Sequence, residues 1–368
     1  MEVLVFLVVI VVLILVHEFG HFVVAKWTGM KVEEFGFGFP PKALTLGRVG
    51  ETEITLNWLP FGGFVKIYGE SFEDTAQDTD RGRAFGSKNR ALQALVLLAG
   101  IAMNLLLAYL LIALALALGT PRALSDNELS SAHDIQLAIA GVLPGSPAAL
   151  AGLSAGDIIE SASDAAGEWS ASEAGAPNSF SDFVAASGGS AITLDVERNG
   201  QQIHISAAPT AGAAGTPGRY ALGLDIAPIG VKALSLPQAF LQGASLTWNA
   251  TLETAVALGQ FFFGIFTLHA DLSQVAGPVG IADALGGAAK QGFGDVLSLA
   301  AIISINLALI NLVPVPALDG GRLLFVAIEA IIRRPIKASV ANAVNSLGFA
   351  LLILLMLVIT AHDLYKLV

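Results

Sequence analysis

The chain has 368 residues, 54% of them hydrophobic and only 13% charged, where a soluble domain carries about a quarter charged residues. With a mean hydropathy of +0.70, that describes an integral membrane protein carrying polar inserts. A net charge of −11 argues against a nucleic-acid-binding face. With no Cys in the chain, disulfides and thiolate ligands are excluded, so any metal must be held by His, Asp or Glu.

The first predicted element is the apolar run from Val3 to Ala25, about 34 Å long as a helix and enough to cross a bilayer core of ~30 Å. No basic n-region or A-x-A site precedes it, so it reads as a retained span rather than a cleaved signal. Into it are set His17, Glu18 and His21. An ionisable side chain near mid-bilayer costs from ~3 to above 10 kcal/mol, so three within five positions demand a compensating partner. His17 and His21 stand at i and i+4 and therefore share one helix face, where two imidazoles can grip one metal ion. Glu18 is then placed to take a proton from a water held by that ion. HEFGH fits the HExxH signature of zinc proteases, conditional on a third ligand.

The following loop, Lys26 to Arg90, carries nine of the chain's 19 basic residues: Lys26, Lys31, Lys42, Arg48, Lys66, Arg81, Arg83, Lys88 and Arg90. The positive-inside rule puts it in the cytoplasm. Within it, EFGFGFPPKAL and TEITLNWLPFGGFVKIYG alternate apolar with polar or Gly positions and predict short strands. The pattern suits a hairpin lying against the membrane or a plain surface hairpin. The charged stretch Glu70 to Arg83 reads as a mobile loop. A second span follows at residues 91–119. Its Asn104 is one of very few polar groups there, and a lone Asn in a membrane helix predicts packing against a neighbouring helix.

From about residue 120 to 232 the apolar runs shorten and Ser, Ala, Gly, Asp and Glu rise. This predicts a water-exposed α+β domain on the side opposite the basic loop. Ser146-Pro147 opens a small helix, Gly152 ends it, and Ile158-Ile159 starts a strand. Ala191 to Val196 and Gln202 to Ile205 form a hairpin about Arg198-Asn199-Gly200. Residues 233–290 read as an amphipathic membrane-surface helix, with a further span as the alternative, followed by a turn into a short helix at Gly277-Pro278.

A third span, residues 291–333, is broken by Pro314 and Pro316, which free backbone groups at membrane depth. Asp319 follows the break. Its plain alternative is an ion pair with Arg322, but an aspartate in an apolar span is by default a functional candidate. With His17 and His21 it completes three ligands and leaves the fourth position open for water, as catalytic zinc requires. Residues 338–368 supply a fourth span.

The order of these motifs resembles a known family. HEFGH in the first span and NLVPVPALDGG in a late one resemble the site-2 protease family of intramembrane zinc metalloproteases, bacterial regulator-of-sigma-E protease type. AIAGVLPGSPAALAGLSAGDII, lying between them, resembles a PDZ domain of the bacterial protease-associated type. The resemblance implies four helical spans, a membrane-associated β-hairpin loop and an inserted extracytoplasmic PDZ-like α+β domain. It implies Zn2+ held by His17, His21 and Asp319, with Glu18 as general base. Substrate, the membrane segment of a single-span protein, lies along Gly62, Gly63, Phe64, Val65 and Lys66, near the Phe35-Gly36-Phe37-Gly38 region, with Asn306 and Asn311 contacting its backbone. The PDZ-like domain binds peptide segments, and the implied location is the bacterial inner membrane, with anti-sigma factors or signal-peptide remnants as substrates. Two departures stand out: one PDZ-like domain where tandem copies are common, and Gly100-Ile101-Ala102-Met103-Asn104 without the family's Pro. Two rival readings remain, a catalytically silent peptide-binding scaffold and a metal or proton transporter. The transporter reading lacks an internal repeat of spans.

Overall fold

The computed structural model describes residues 2–70, 80–124, 128–129, 133–171, 176–198, 200–213, 218–267 and 275–366. Much of the charged loop after Glu70, Asn199 of the predicted turn, and His269 and Asp271 of the amphipathic stretch lie outside the described residues. The chain divides into two compact units, one of residues 1–117 and 235–368, the other of residues 118–234.

In the first unit, uninterrupted apolar sequence makes long helices, because only a helix satisfies its own backbone bonds without water. They are α1 (Glu2–Trp27), α2 (Arg90–Leu118), α5 (Leu236–Phe266), α6 (Pro278–Gln291), α7 (Phe293–Leu312), α8 (Asp319–Ile332) and α9 (Ala338–Lys366). Among the described residues, α1, α2, α7 and α9 are the four long and apolar enough to cross a membrane. The predicted third span is in fact two helices. α7 ends at Leu312, and residues 313–318 turn before α8 begins at Asp319. Two prolines in this turn lack an N–H for a helix to use. Gly320 and Gly321 let α8 fold back tightly: a Cβ on Gly320 would lie 2.3 Å from the Val313 carbonyl oxygen, and one on Gly321 2.3 Å from that of Val315.

The helix α5 is not among those four. It packs on α2 and α7: Gly243 lies against Ala113, the Tyr109 hydroxyl donates to the Phe240 carbonyl at 3.3 Å, and Ala250 joins a core of Ala108, Ala301 and Ile305. At the start of α6, the Gly280 N–H donates to Asp363 of α9 at 2.9 Å.

The loop strands are longer than their pattern predicts. β1 (Val32–Val49) and β2 (Thr52–Ile67) pair antiparallel, but each bends so that the two make four runs. Residues 42–49 pair with 52–57, of which 53–56 also pair with 34–37, and 34–37 pair on their other side with 63–66. The last run of β2 is therefore an edge. Gly36 allows this stacking, since a Cβ there would meet the Phe64 ring at 2.3 Å. The far runs turn apolar side chains outward: Leu44, Leu46, Val49, Leu56, Trp58 and Leu59 are exposed.

The second unit is a seven-stranded sheet with two helices. Its strands are β3 (Pro121–Ala123), β4 (His133–Val142), β5 (Ile158–Ser163), β6 (Glu168–Ser170), β7 (Ile192–Arg198), β8 (Gln201–Ala207) and β11 (Leu224–Val231), ordered β3-β11-β4-β5-β7-β8 with β6 on β5. A small pair, β9 (Thr210–Ala211) and β10 (Tyr220–Ala221), stands apart from that sheet. The short helix α3 (Pro147–Ala151) is capped by the Ser146 hydroxyl, which accepts from the Ala149 N–H, and closed by Gly152 at φ 87°. The helix α4 (Ala176–Ala186) covers the core, in which Trp169 and Phe180 stack edge to face at 5.0 Å among Leu137, Ile159, Ile192 and Leu194. Trp169 Nε1 donates to Ser179 at 2.9 Å, so the indole is buried without an unmet donor. The insertion between Ala165 and Ser179 thus supplies a strand and core residues of the domain.

Candidate metal centre

On α1, His17 and His21 project from the buried face while Leu13, Gly20 and Ala25 carry that face into the neighbouring helices. Asp319 arrives from the first turn of α8, more than 300 positions away. His17 Nε2 lies 2.9 Å from Asp319 Oδ2, His21 Nε2 lies 3.1 Å from the same oxygen, and the two Nε2 atoms are 3.1 Å apart. The group His17, His21 and Asp319 has its ligand atoms within 4.8 Å of one another. Tetrahedral zinc, with bonds of about 2.0 Å, sets its ligand atoms about 3.3 Å apart, so the three atoms already stand near ligating distance. Two imidazole nitrogens and one carboxylate oxygen are also the donor types zinc accepts at catalytic sites.

The surroundings are shaped for those rings. His21 Nδ1 donates to the Val96 carbonyl of α2 at 2.8 Å, which leaves Nε2 as the free lone pair. Gly100, one helical turn further on, has no side chain to obstruct them: a Cβ there would sit 2.5 Å from His21 Nε2 and 2.8 Å from His17 Nε2. Gly20 likewise lets α1 close on α2, since its Cβ would lie 2.4 Å from the Ala99 carbonyl oxygen.

Glu18 turns the other way, toward β2. Its Cγ is 3.6 Å from where a Cβ on Gly63 would be, and its carboxylate accepts from the Val65 backbone N–H. The edge run Gly62, Gly63, Phe64, Val65 and Lys66 therefore lies beside the His17–His21–Asp319 cluster. Strand alternation turns the backbone groups of Gly63 and Val65 outward together, and those of Phe64 and Lys66 toward β1. Arg322 pairs with Glu70 and not with Asp319.

Asn306 and Asn311 are both on α7. Asn306 Nδ2 donates to the Ile302 carbonyl at 3.0 Å and lines an apolar cavity with Phe261, Ile281 and Ile310. Asn104 is where sequence reasoning fell short. Its side chain reaches His17 Nδ1 at 3.2 Å, while its backbone carbonyl accepts from Ser304 of α7 at 2.8 Å. It serves packing through the backbone and touches the cluster through the carboxamide. Its spacing of four from Gly100, which puts both on one face of α2, was the signal available.

Residues 5–355 match Peptidase family M50. A protein of Clostridium perfringens is 36% identical over 354 residues, covering 95% of each chain. One from Nostoc is 34% identical over 359 residues, covering 96% of this chain and 93% of its own. RasP of Oceanobacillus iheyensis is 29% identical over 437 residues, covering 97% of both. All three carry "zinc metalloprotease" in their names. With HEFGH and Asp319 at one site and near full-length similarity to these proteins, the chain belongs to Peptidase family M50.

Proposed function

We propose that this zinc metalloprotease hydrolyses a peptide bond within or near the transmembrane segment of membrane proteins, using His17, His21 and Asp319 as zinc ligands and Glu18 as general base. The observation that carries this reading is the convergence of three ligand atoms within 4.8 Å, contributed in part by a helix apolar enough to cross a membrane. Zinc at this site supplies Lewis-acid polarisation of the scissile carbonyl and a water acidic enough to lose its proton near pH 7.

The rest of the chemistry belongs to the chain. Glu18 takes the proton of the attacking water and passes it to the leaving amine. A helical substrate shields its carbonyls in its own hydrogen bonds, so it must unwind locally. The outward N–H and C=O groups of Gly63 and the C=O of Val65 offer strand-type bonds in exchange. Outward apolar side chains on the far runs of the β1–β2 sheet suit contact with lipid, while its paired backbone satisfies the demand of a low-dielectric surrounding. Water reaches the site from the side that carries the basic loop, which the positive-inside rule puts in the cytoplasm of a bacterial inner membrane.

The second unit fits a PDZ-like domain that binds peptides. A cavity of about 400 Å³ lies between α4 and the segment Arg219–Ile226. Among the described residues, β3 pairs with β11 at Ile229, Gly230 and Val231, and the Leu224–Ala227 edge on that side suits a short extended chain. The proposed role is a filter in regulated intramembrane proteolysis, admitting substrates already trimmed outside, with anti-sigma factors or signal-peptide remnants as the substrate class.

The test is Glu18→Gln in the full chain, reconstituted with a membrane-segment substrate. The expected result is loss of cleavage with zinc retained. Cleavage at the wild-type rate would show that Glu18 is not the base.

A further inference from the structure

Outside the ligands themselves, Asn104 brings a side chain within hydrogen-bond distance of the cluster. It is fully buried, and its Nδ2 faces His17 Nδ1 at 3.2 Å. Its Oδ1 is buried with no hydrogen-bond partner among the described residues. A buried carboxamide oxygen left unmet keeps the cost of its lost hydration, so its orphan state calls for an explanation.

The His17 ring supplies one. Its Nε2 points at Asp319 and at His21 Nε2, so Nε2 is the ligating nitrogen. A neutral imidazole that gives its Nε2 lone pair to a metal carries its proton on Nδ1. That Nδ1–H needs an acceptor, as His21 Nδ1–H has in the Val96 carbonyl at 2.8 Å. An amide nitrogen opposite Nδ1–H would set two donors against each other. A half-turn of the carboxamide about its last torsion exchanges Oδ1 and Nδ2 within the same outline. Oδ1 then accepts from Nδ1–H, so the buried oxygen and the imidazole proton are each satisfied, while Nδ2 moves to the place Oδ1 held.

We propose that Asn104 is a positioning residue for the metal centre: its side-chain oxygen accepts the His17 Nδ1 proton and holds Nε2 as the ligating lone pair. The two histidines are then anchored alike from one face of α2, His21 through the Val96 main chain and His17 through the Asn104 side chain. The anchor is itself held, because Ser304 of α7 donates to the Asn104 carbonyl at 2.8 Å. A purely packing Asn would be replaceable by an apolar side chain of the same shape. A positioning Asn is not, because only an acceptor serves. This inference rests on the reading of His17 as a zinc ligand.

The experiment compares the full-length wild type with Asn104→Leu and Asn104→Asp in detergent. Zinc per chain is measured during titration with a chelator, and folding is followed by thermal unfolding of the metal-free forms. Outer-shell partners of a ligating histidine carry about 10–100-fold in metal affinity. Asn104→Leu, isosteric but without an acceptor, is expected to lose zinc by that factor, and Asn104→Asp, which keeps the acceptor, to hold it within a few-fold of wild type. Asn104→Leu holding zinc as tightly as wild type overturns the proposal while leaving the ligand assignment intact. Absence of zinc from the wild type overturns both. If Asn104→Leu does not fold, NMR of the zinc-loaded wild type with labelled histidine and asparagine decides. A scalar coupling across the hydrogen bond from His17 Nδ1–H to the Asn104 carboxamide carbon supports the proposal, and a protonated Nδ1 that shows no such coupling overturns it.

Discussion

Gly100→Ala separates a metal centre from ordinary helix packing, because the two predict opposite signs. On an exposed helix face this change gains roughly 0.5–1 kcal/mol from helix propensity. Here the new Cβ would lie 2.5 Å from His21 Nε2 and 2.8 Å from His17 Nε2. Ordinary contact begins at 3.4 Å, so one imidazole must retreat by about 0.9 Å, several times the ±0.2 Å within which metal–ligand distances are held. Overpacking of this kind costs about 1–3 kcal/mol and the helix gain offsets about 0.5–1 of it, so the metal-free protein should lose about 0–2.5 kcal/mol. Zinc affinity should fall at least about tenfold, comparable to the loss of an outer-shell partner. The assay is zinc per chain under chelator competition, with thermal unfolding of the metal-free protein as control. Wild-type zinc affinity in a folded Gly100→Ala variant would refute the reasoning, since the ligand atoms would then lie elsewhere.

Further predictions concern the frame. In the second unit the Asp157 carboxylate is buried and accepts from Arg198 Nε at 2.6 Å, Arg198 Nη2 at 2.7 Å and the Ser154 N–H at 2.9 Å. The Arg198 hydrogen bonds hold its carboxyl below the ordinary carboxylate value. A carboxyl lowered on folding stabilises fully above its unfolded value and loses that contribution as pH falls through the folded one. Protection of second-unit amides, relative to their intrinsic exchange rates, should therefore fall below about pH 4. Arg198→Met should speed exchange near neutral pH by an amount corresponding to about 1–3 kcal/mol, since it strips two of the three donors from a buried carboxylate; unchanged exchange would count against that pair. At the turn before α8, Ala317 adopts φ 75°. A left-handed L-residue costs about 1–2 kcal/mol, and glycine loses about 0.4–1 kcal/mol of that gain to unfolded-state entropy. Ala317→Gly should hence leave thermal stability equal or slightly raised with zinc retained, and a fall of several degrees would contradict it.

How much was readable depended on whether a residue's reason is local. His17, Glu18 and His21 announce themselves because charge in an apolar run is expensive wherever the run folds. Asp319 does so for the same reason, helped by two prolines that break the helix before it. The Ser146 cap and the Gly152 stop in the second unit are likewise local chemistry, and both fall at helix ends. What the sequence does not carry is partnership across distance. Nothing near Asn104 or Gly100 says that α2 lies against the ligating face of α1; that comes from Gly20 meeting the Ala99 carbonyl. The alternation in β1 and β2 predicts strands but not that each bends into two runs, since pairing depends on Gly36 and Phe64 meeting in space. The same holds for α5, whose scattered polar residues leave its partners unspecified until Gly243 and Ala250 are placed on α2 and α7.

The most direct measurement is zinc per chain in purified, detergent-solubilised protein, wild type against His21→Ala and Asp319→Ala. His21 and Asp319 come from helices far apart in sequence, and the account makes them ligands of one ion. About one zinc is expected in the wild type, for the one three-residue site among the described residues, with its loss in both variants. A wild type that stays folded without zinc, or an Asp319→Ala variant that keeps the full complement, would contradict it.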